Sequence, residues 1–165
     1  MKTNIIQKLI LVLFLIASFS VAAQSDAGGP PKIEEIIGFW KKKNVEKIDK
    51  MNEENPWPQK YQWFAFYENG KVFSMMTDQD YNYSSKELKE LFDVLPQEKT
   101  PNYKLKNQFV FIDNPEIKDY KEIWGVNLFA KDINDFLKKG NLIMTLDDGS
   151  GTGKVIYYRL LERIK

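Results

Sequence analysis

Apolar and polar positions alternate on either side of Asn69-Gly70, from Tyr61 to Glu68 and from Lys71 to Thr77. An Asn-Gly pair between such runs predicts a β-hairpin with a two-residue type I′ turn, because both central residues of that turn need positive φ. A two-residue turn sets Glu68 opposite Lys71, Phe66 opposite Phe73 and Phe64 opposite Met75. On this register Phe64, Phe66, Phe73 and Met75 face the interior. Upstream, Ile36 to Ile48 alternates imperfectly, with Trp40, Lys42 and Asn44 on one face, and predicts a long first strand. Downstream, short strand patterns run over Tyr103–Leu105, Gln108–Ile112, Glu122–Ala130, Asn141–Leu146 and Lys154–Ile164. The face assignment of 122–130 is ambiguous, and Gly125 within it marks a bulge or a close backbone approach.

One helix interrupts the strands. Ser84 and Glu87 have capping-box spacing, and Leu88, Leu91, Phe92 and Leu95 form a single apolar stripe before Pro96. One stripe means one buried face, and the helix is expected to plug an end of a barrel. Asp132–Lys139 is expected to make a short helical turn. The loop from Met51 to Lys60 carries Trp57, read as a cover over the rim in preference to a ligand contact. About eight strands, one inserted amphipathic helix and no βαβ units make the chain mainly β, an antiparallel up-and-down barrel.

Residues 1–23 combine Lys2 and Lys8 with an apolar run from Leu9 to Phe19 and a Val21-Ala22-Ala23 cleavage pattern, which predicts a secretory signal peptide. The run is short for a bilayer span, and no cysteine follows it for a lipid anchor, so a soluble periplasmic or extracellular product is expected. Residues 24–32, with Gly28-Gly29-Pro30-Pro31, read as a flexible leader. The folded domain is expected over 33–165.

Composition narrows the chemistry. The 165 residues suffice for one domain, and 24 basic against 23 acidic side chains give a net charge of +1. Loss of residues 1–23 leaves 22 basic against 23 acidic, without the basic excess of a nucleic-acid binder. With no cysteine and no histidine, thiol nucleophiles, disulfides, Cys/His zinc sites and histidine triads are excluded. No cofactor is expected, and no metal: Asp78 with Asp80, and Asp147 with Asp148, fit turn residues better than ligands. Gly149-Ser150-Gly151-Thr152-Gly153-Lys154 is not a phosphate loop, since Asp148 stands where its first glycine belongs, Val155 follows the lysine, and the segment leads into a strand. No pair of acids is singled out by spacing for carboxylate catalysis.

Gly38-Phe39-Trp40 resembles the Gly-x-Trp opening of the lipocalin and fatty-acid-binding (calycin) barrels. Phe66-Tyr67-Glu68-Asn69-Gly70-Lys71 and Val155-Ile156-Tyr157-Tyr158-Arg159-Leu160 resemble the strand-turn and closing-strand segments of bacterial lipocalin-like domains. The resemblance implies that Trp40 packs near the closed end, with an arginine of the last strand against its ring, a role Arg159 would fill. Tyr157-Tyr158-Arg159 departs from the Arg-x-Tyr carboxylate clamp of the fatty-acid-binding branch.

Together these readings point to an exported barrel without a catalytic signature. It would bind a small apolar or amphipathic ligand among Trp40, Phe64, Phe66, Phe73 and Met75, with Lys42 or Arg159 as polar anchor. A packed barrel is weighed evenly against a hollow one. The alternatives are a closed barrel acting as an interaction module through Asn55–Pro58 and Asp78–Tyr83, and, more weakly, a carboxylate enzyme.

Overall fold

The hairpin around Asn69-Gly70 forms, but one residue out of the expected register. In the computed structural model, which describes residues 27–165 except 54, 58, 119 and 120, Phe66 lies opposite Val72, Phe64 opposite Ser74 and Trp63 opposite Met75. The loop is three residues long: the Gly70 N–H donates to Tyr67 O at 3.0 Å and the Tyr67 N–H to Lys71 O at 2.9 Å. Gly70 alone in the turn takes positive φ, +78°. This is the three-residue hairpin in which a type I turn is followed by a left-handed residue. Because side chains alternate with a period of two, the one-residue slip turns all of the second strand over. Val72, Ser74 and Met76 therefore share the inward face with Phe64 and Phe66, and Phe73 and Met75 point outward, correcting their expected interior placement.

Nine strands and three short helices form among the described residues: β1 Gly28–Gly29, α1 Ile33–Ile36, β2 Gly38–Lys42, α2 Glu46–Asp49, β3 Tyr61–Phe66, β4 Val72–Thr77, α3 Ser85–Asp93, β5 Asn102–Lys106, β6 Phe109–Asp113, β7 Lys121–Phe129, β8 Leu142–Asp147 and β9 Val155–Arg163. Every pairing is antiparallel, in the order β4-β3-β2-β9-β8-β7-β6-β5, with β1 against β7. The sheet curls until its two ends meet at one bridge, Lys71 to Asn102. There the Val72 N–H donates to Pro101 O at 3.0 Å and the Tyr103 N–H to Gly70 O at 2.7 Å. The expected mainly-β, up-and-down architecture is thus present, with a seam between β4 and β5 that a single bridge holds. The expected signal segment lies outside the described residues. Pairing already begins at Gly28, ahead of Ile33.

The long strand expected from Ile36 to Ile48 is instead β2 between two single-turn helices. Charged residues fall on both faces of that stretch, and only Trp40 and Lys42 of it are buried within the strand. Beyond Lys42 the chain turns, and α2 buries Ile48 against Leu160 on the outside of β9. The helix α3 also departs from expectation. It does not plug an end; it lies on the outer face of the β3–β4 hairpin, where Leu88 and Phe92 pack with Trp63, Ala65 and Phe73. Leu91 and Leu95 remain exposed. No helix forms over 132–139, where Asn134 Oδ1 accepts from the Phe136 and Leu137 amides in a side-chain-closed turn.

The inward face is filled by Trp40, Phe66, Tyr103, Val110, Trp124, Val126, Leu142, Tyr157 and Leu161. Gly125 is a close approach, as expected: a Cβ there would stand 2.6 Å from Thr145 Oγ1 across the β7–β8 pair.

Candidate functional site

Strand alternation selects the inward residues of β3, β4, β6, β7, β8 and β9, and these line a cavity of about 150 Å³ inside the sheet, beside the seam. Buried Phe64, Phe66, Val72 and Met144 form its depth, and Ile112, Met76 and Pro101 its sides. Ser74, Asn114 and Glu122 lie toward solvent, and Trp57 reaches in from the loop before β3. Arg159 completes the lining and is only 3% exposed.

The guanidinium of Arg159 is held in an aromatic box. Its Cζ lies 4.4 Å from the ring centre of Trp57, 4.5 Å from Phe64, 4.5 Å from Trp124 and 5.6 Å from Tyr157. Ring faces attract the planar cation, and the attraction grows as water is removed. Trp57 is packed in turn on Trp124 and Tyr157, with ring centres 5.4 and 5.2 Å away. It is the rim cover the sequence suggested, and it also forms a wall of the cavity.

Trp124 connects this cation to a carboxylate. Its Nε1–H donates to Glu122 Oε2 at 2.8 Å, while its ring faces Arg159. Two further polar atoms on inward strand positions, Gln62 Oε1 and the Tyr157 hydroxyl, are buried without a protein hydrogen-bond partner. Each such atom carries a desolvation penalty of about 1–3 kcal/mol unless a water or another group reaches it.

Of the residues singled out from the sequence, the cavity brings together Phe64, Phe66 and Arg159. Phe73 and Met75 belong to the outer cluster under α3. Lys42 is buried, but its Nζ is engaged by Asn44 Oδ1 at 3.2 Å and Asp49 Oδ1 at 3.1 Å, away from the cavity lining. Trp40 is buried elsewhere in the core, donating its Nε1–H to Ile36 O at 2.8 Å. The arginine over its ring is Arg163, at 4.3 Å, not Arg159 as the resemblance implied. Arg163 is further bound to the Ile37 and Glu35 carbonyls; its partial burial lowers its pKa, opposed by the nearby Glu35 carboxylate.

Sequence reasoning missed Ser74, Met76, Glu122, Trp124 and Met144. Ser74 and Met76 follow from the hairpin register once the turn is three residues long. Glu122 and Trp124 share one parity of β7, a face that the apolar residues on both sides of that strand obscured.

A larger hollow of about 370 Å³ lies outside the sheet near the start of α3. Several of its polar groups are already engaged: Lys41 with Asp80, Ser84 with Glu87, Arg163 with the two carbonyls, and the Lys165 carbonyl with Ser85. The inner cavity is the better candidate because it sets one buried cation, Arg159, beside apolar walls. Asp147 and Asp148 accept from the Gly149 and Ser150 amides, as turn residues do. Among the described residues no group of three or more acids is placed to hold a metal ion, and no helix is long and apolar enough to cross a membrane. The expected loop contacts are partly folded away: Tyr81 and Tyr83 pack against Trp63, Asn55 caps the Trp57 amide, and Pro58 lies outside the described residues.

No protein-family model, curated protein or solved structure gives a significant match to this chain.

Proposed function

We propose that the chain is an exported, lipocalin-like barrel that binds one small amphipathic molecule in the cavity beside Arg159. The observation that carries this reading is a buried guanidinium, boxed by aromatic rings, on the wall of a cavity whose depth is apolar. The lipocalin-like assignment is supported by the up-and-down strand order and by Arg163 over Trp40, two residues after Gly38.

Size limits the ligand. At about 150 Å³ the space is below the usual range of roughly 300–1,000 Å³ for drug-sized ligands. A cavity of that order holds a single benzene-sized ring. A long-chain fatty acid does not fit with the core as packed. The lining contains one carboxylate, Glu122, where hydrolysis by paired acids needs two.

The direct test is native mass spectrometry of protein purified from its own host. A retained molecule of low mass is expected, lost in Met144→Trp, which fills the cavity, and kept in Met75→Trp on the outer face. Bare polypeptide mass from freshly isolated wild-type protein contradicts the proposal.

A second reading, an interaction module, draws on a different observation. Phe109, Phe111 and Ile123 are exposed on the outer face of β6 and β7, with Phe111 directly opposite Ile123. Solvent-facing apolar groups so close together suit a protein contact.

A further inference from the structure

We infer that the occupant of the cavity is presented by an extended peptide, which adds as a strand to the open edge of β4 and turns one apolar side chain inward. This rests on the proposed ligand-binding reading and names the ligand class for that site. Beyond Val72 no strand lies beside β4 on the seam side among the described residues. From the bridge at Lys71 and Asn102, β5 runs back along the hairpin turn, where the Tyr103 N–H donates to Gly70 O. The chain before Asn102 does not take its place, because residues 96–100 close on themselves: the Lys99 N–H and the Thr100 hydroxyl both donate to Pro96 O. Two hydrogen bonds fix the direction of the backbone groups on β4. The Tyr67 N–H donates to Lys71 O inside the hairpin, whereas the Val72 N–H donates across the seam to Pro101 O at 3.0 Å. Strand groups alternate, so the N–H and C=O of Ser74 and Met76 also point across the seam, and among the described residues no backbone hydrogen bond from that side reaches either. The side chain of Ser74 faces inward, opposite buried Phe64, yet Ser74 is exposed. An inward position in mid-strand that reaches solvent marks a gap in the wall, and Ser74, Met76, Pro101, Ile112 and Asn114 line the cavity around it. Donors and acceptors repeating every ~7 Å match an extended polypeptide backbone, and an unpaired edge is a template for strand addition. A guest residue opposite Ser74 exchanges two hydrogen bonds with it and shares its inward direction. The space there, about 150 Å³ and apolar at depth from Phe64, Phe66 and Met144, is that of one benzene-sized ring, which a phenylalanine supplies.

The test is NMR titration of the full, amide-labelled chain with acetyl-Thr-Thr-Phe-Thr-Thr-amide and with the same peptide N-methylated at its phenylalanine, which loses the central donor and keeps the ring. Saturable shifts at the Ser74 and Met76 amides are expected, with at least tenfold slower hydrogen exchange at both and at least tenfold weaker binding of the N-methyl peptide. Ser74→Pro removes an edge donor that points away from β3, a position where proline is tolerated. It is expected to weaken the peptide at least tenfold while phenol, a ring without a peptide backbone, still binds. If that variant does not fold, the N-methyl comparison on wild-type protein decides alone. Equal binding of the two peptides, or peptide binding with the Ser74 and Met76 amides unmoved, overturns strand addition. Phenol binding where the peptide does not also overturns it and leaves the ligand-binding reading standing. Failure of both peptide and phenol to bind wild-type protein overturns the ligand-binding reading as well.

Discussion

Gly38 is glycine for a physical reason that the sequence motif alone does not give. Its φ is +124°, and a Cβ placed there would stand 2.7 Å from Arg163 Nη1. The missing side chain makes room for the guanidinium that covers Trp40 at 4.3 Å and reaches back to the Glu35 and Ile37 carbonyls. Gly38, Trp40 and Arg163 therefore act as one unit that closes β9 onto β2. Gly38→Ala is expected to cost about 1–3 kcal/mol through its backbone conformation and the clash. Arg163→Ala is expected to cost about 2–4 kcal/mol through its hydrogen bonds and ring contact. In a double-mutant cycle followed by urea denaturation, Gly38→Ala should cost less when Arg163 is already absent, with a coupling of about 1 kcal/mol. Strict additivity would separate the glycine from the arginine. That an arginine covers the opening tryptophan was legible from the resemblance. Which arginine was not, because Arg159 and Arg163 share one face of β9 and the choice depends on where β9 meets β2.

At the scale of elements, the hairpin and α3 show what a sequence pattern settles and what it leaves to tertiary context. The existence of the turn, of β3 and β4, and of a capped helix at Ser84 was readable; Ser84 and Glu87 form the expected capping box. The hairpin register was not readable, because Asn69-Gly70 serves both a two-residue and a three-residue loop and the two differ only in whether Asn69 takes positive φ. That single residue decided the fate of Phe73 and Met75, and with them the surface on which α3 docks. A hydrophobic outer face on β3 and β4 draws the helix to the outside of the barrel. The docked helix is pinned by Tyr67, whose hydroxyl donates to Asp93 Oδ1 at 3.0 Å. Burial, together with the Asp93 hydrogen bond and charge, raises the Tyr67 phenol from its ordinary 10.0 to about 12. A raised phenol favours the protonated form in the folded state. Its contribution to stability is therefore complete below about pH 10 and is lost as pH climbs through about 12. Ultraviolet titration should show a late-ionising tyrosine that disappears in Tyr67→Phe and shifts downward in Asp93→Asn. A titration curve unchanged in both variants would remove Tyr67 from this role.

Over the whole molecule, the curled sheet is closed firmly at β2–β9 and weakly at β4–β5, where Lys71 and Asn102 form the one bridge. The cavity lies against that weak seam, with Val72, Ser74 and Met76 on one side and Pro101 and Ile112 on the other. Most of the interior is packed with aromatic and aliphatic side chains. The barrel is thus neither simply filled nor simply hollow, and the cavity beside Arg159 has the volume of a single ring. The aromatic richness read from the sequence was divided between a core and a cation box. Only the fold could make that division, because the box joins Trp57, Phe64, Trp124 and Tyr157 from four separated segments.

The methionines report on both the register and the cavity. Met76 and Met144 line the cavity, and Met75, one residue from Met76, lies outside beneath α3. Methyl-selective NMR of methionine-labelled protein, titrated with phenol, a benzene-sized ring with one polar group, should show saturable shifts at Met76 and Met144 while Met75 stays fixed. Shifts at Met75 in place of Met76 and Met144, or no saturable shift at any methionine, would contradict a ligand cavity beside Arg159.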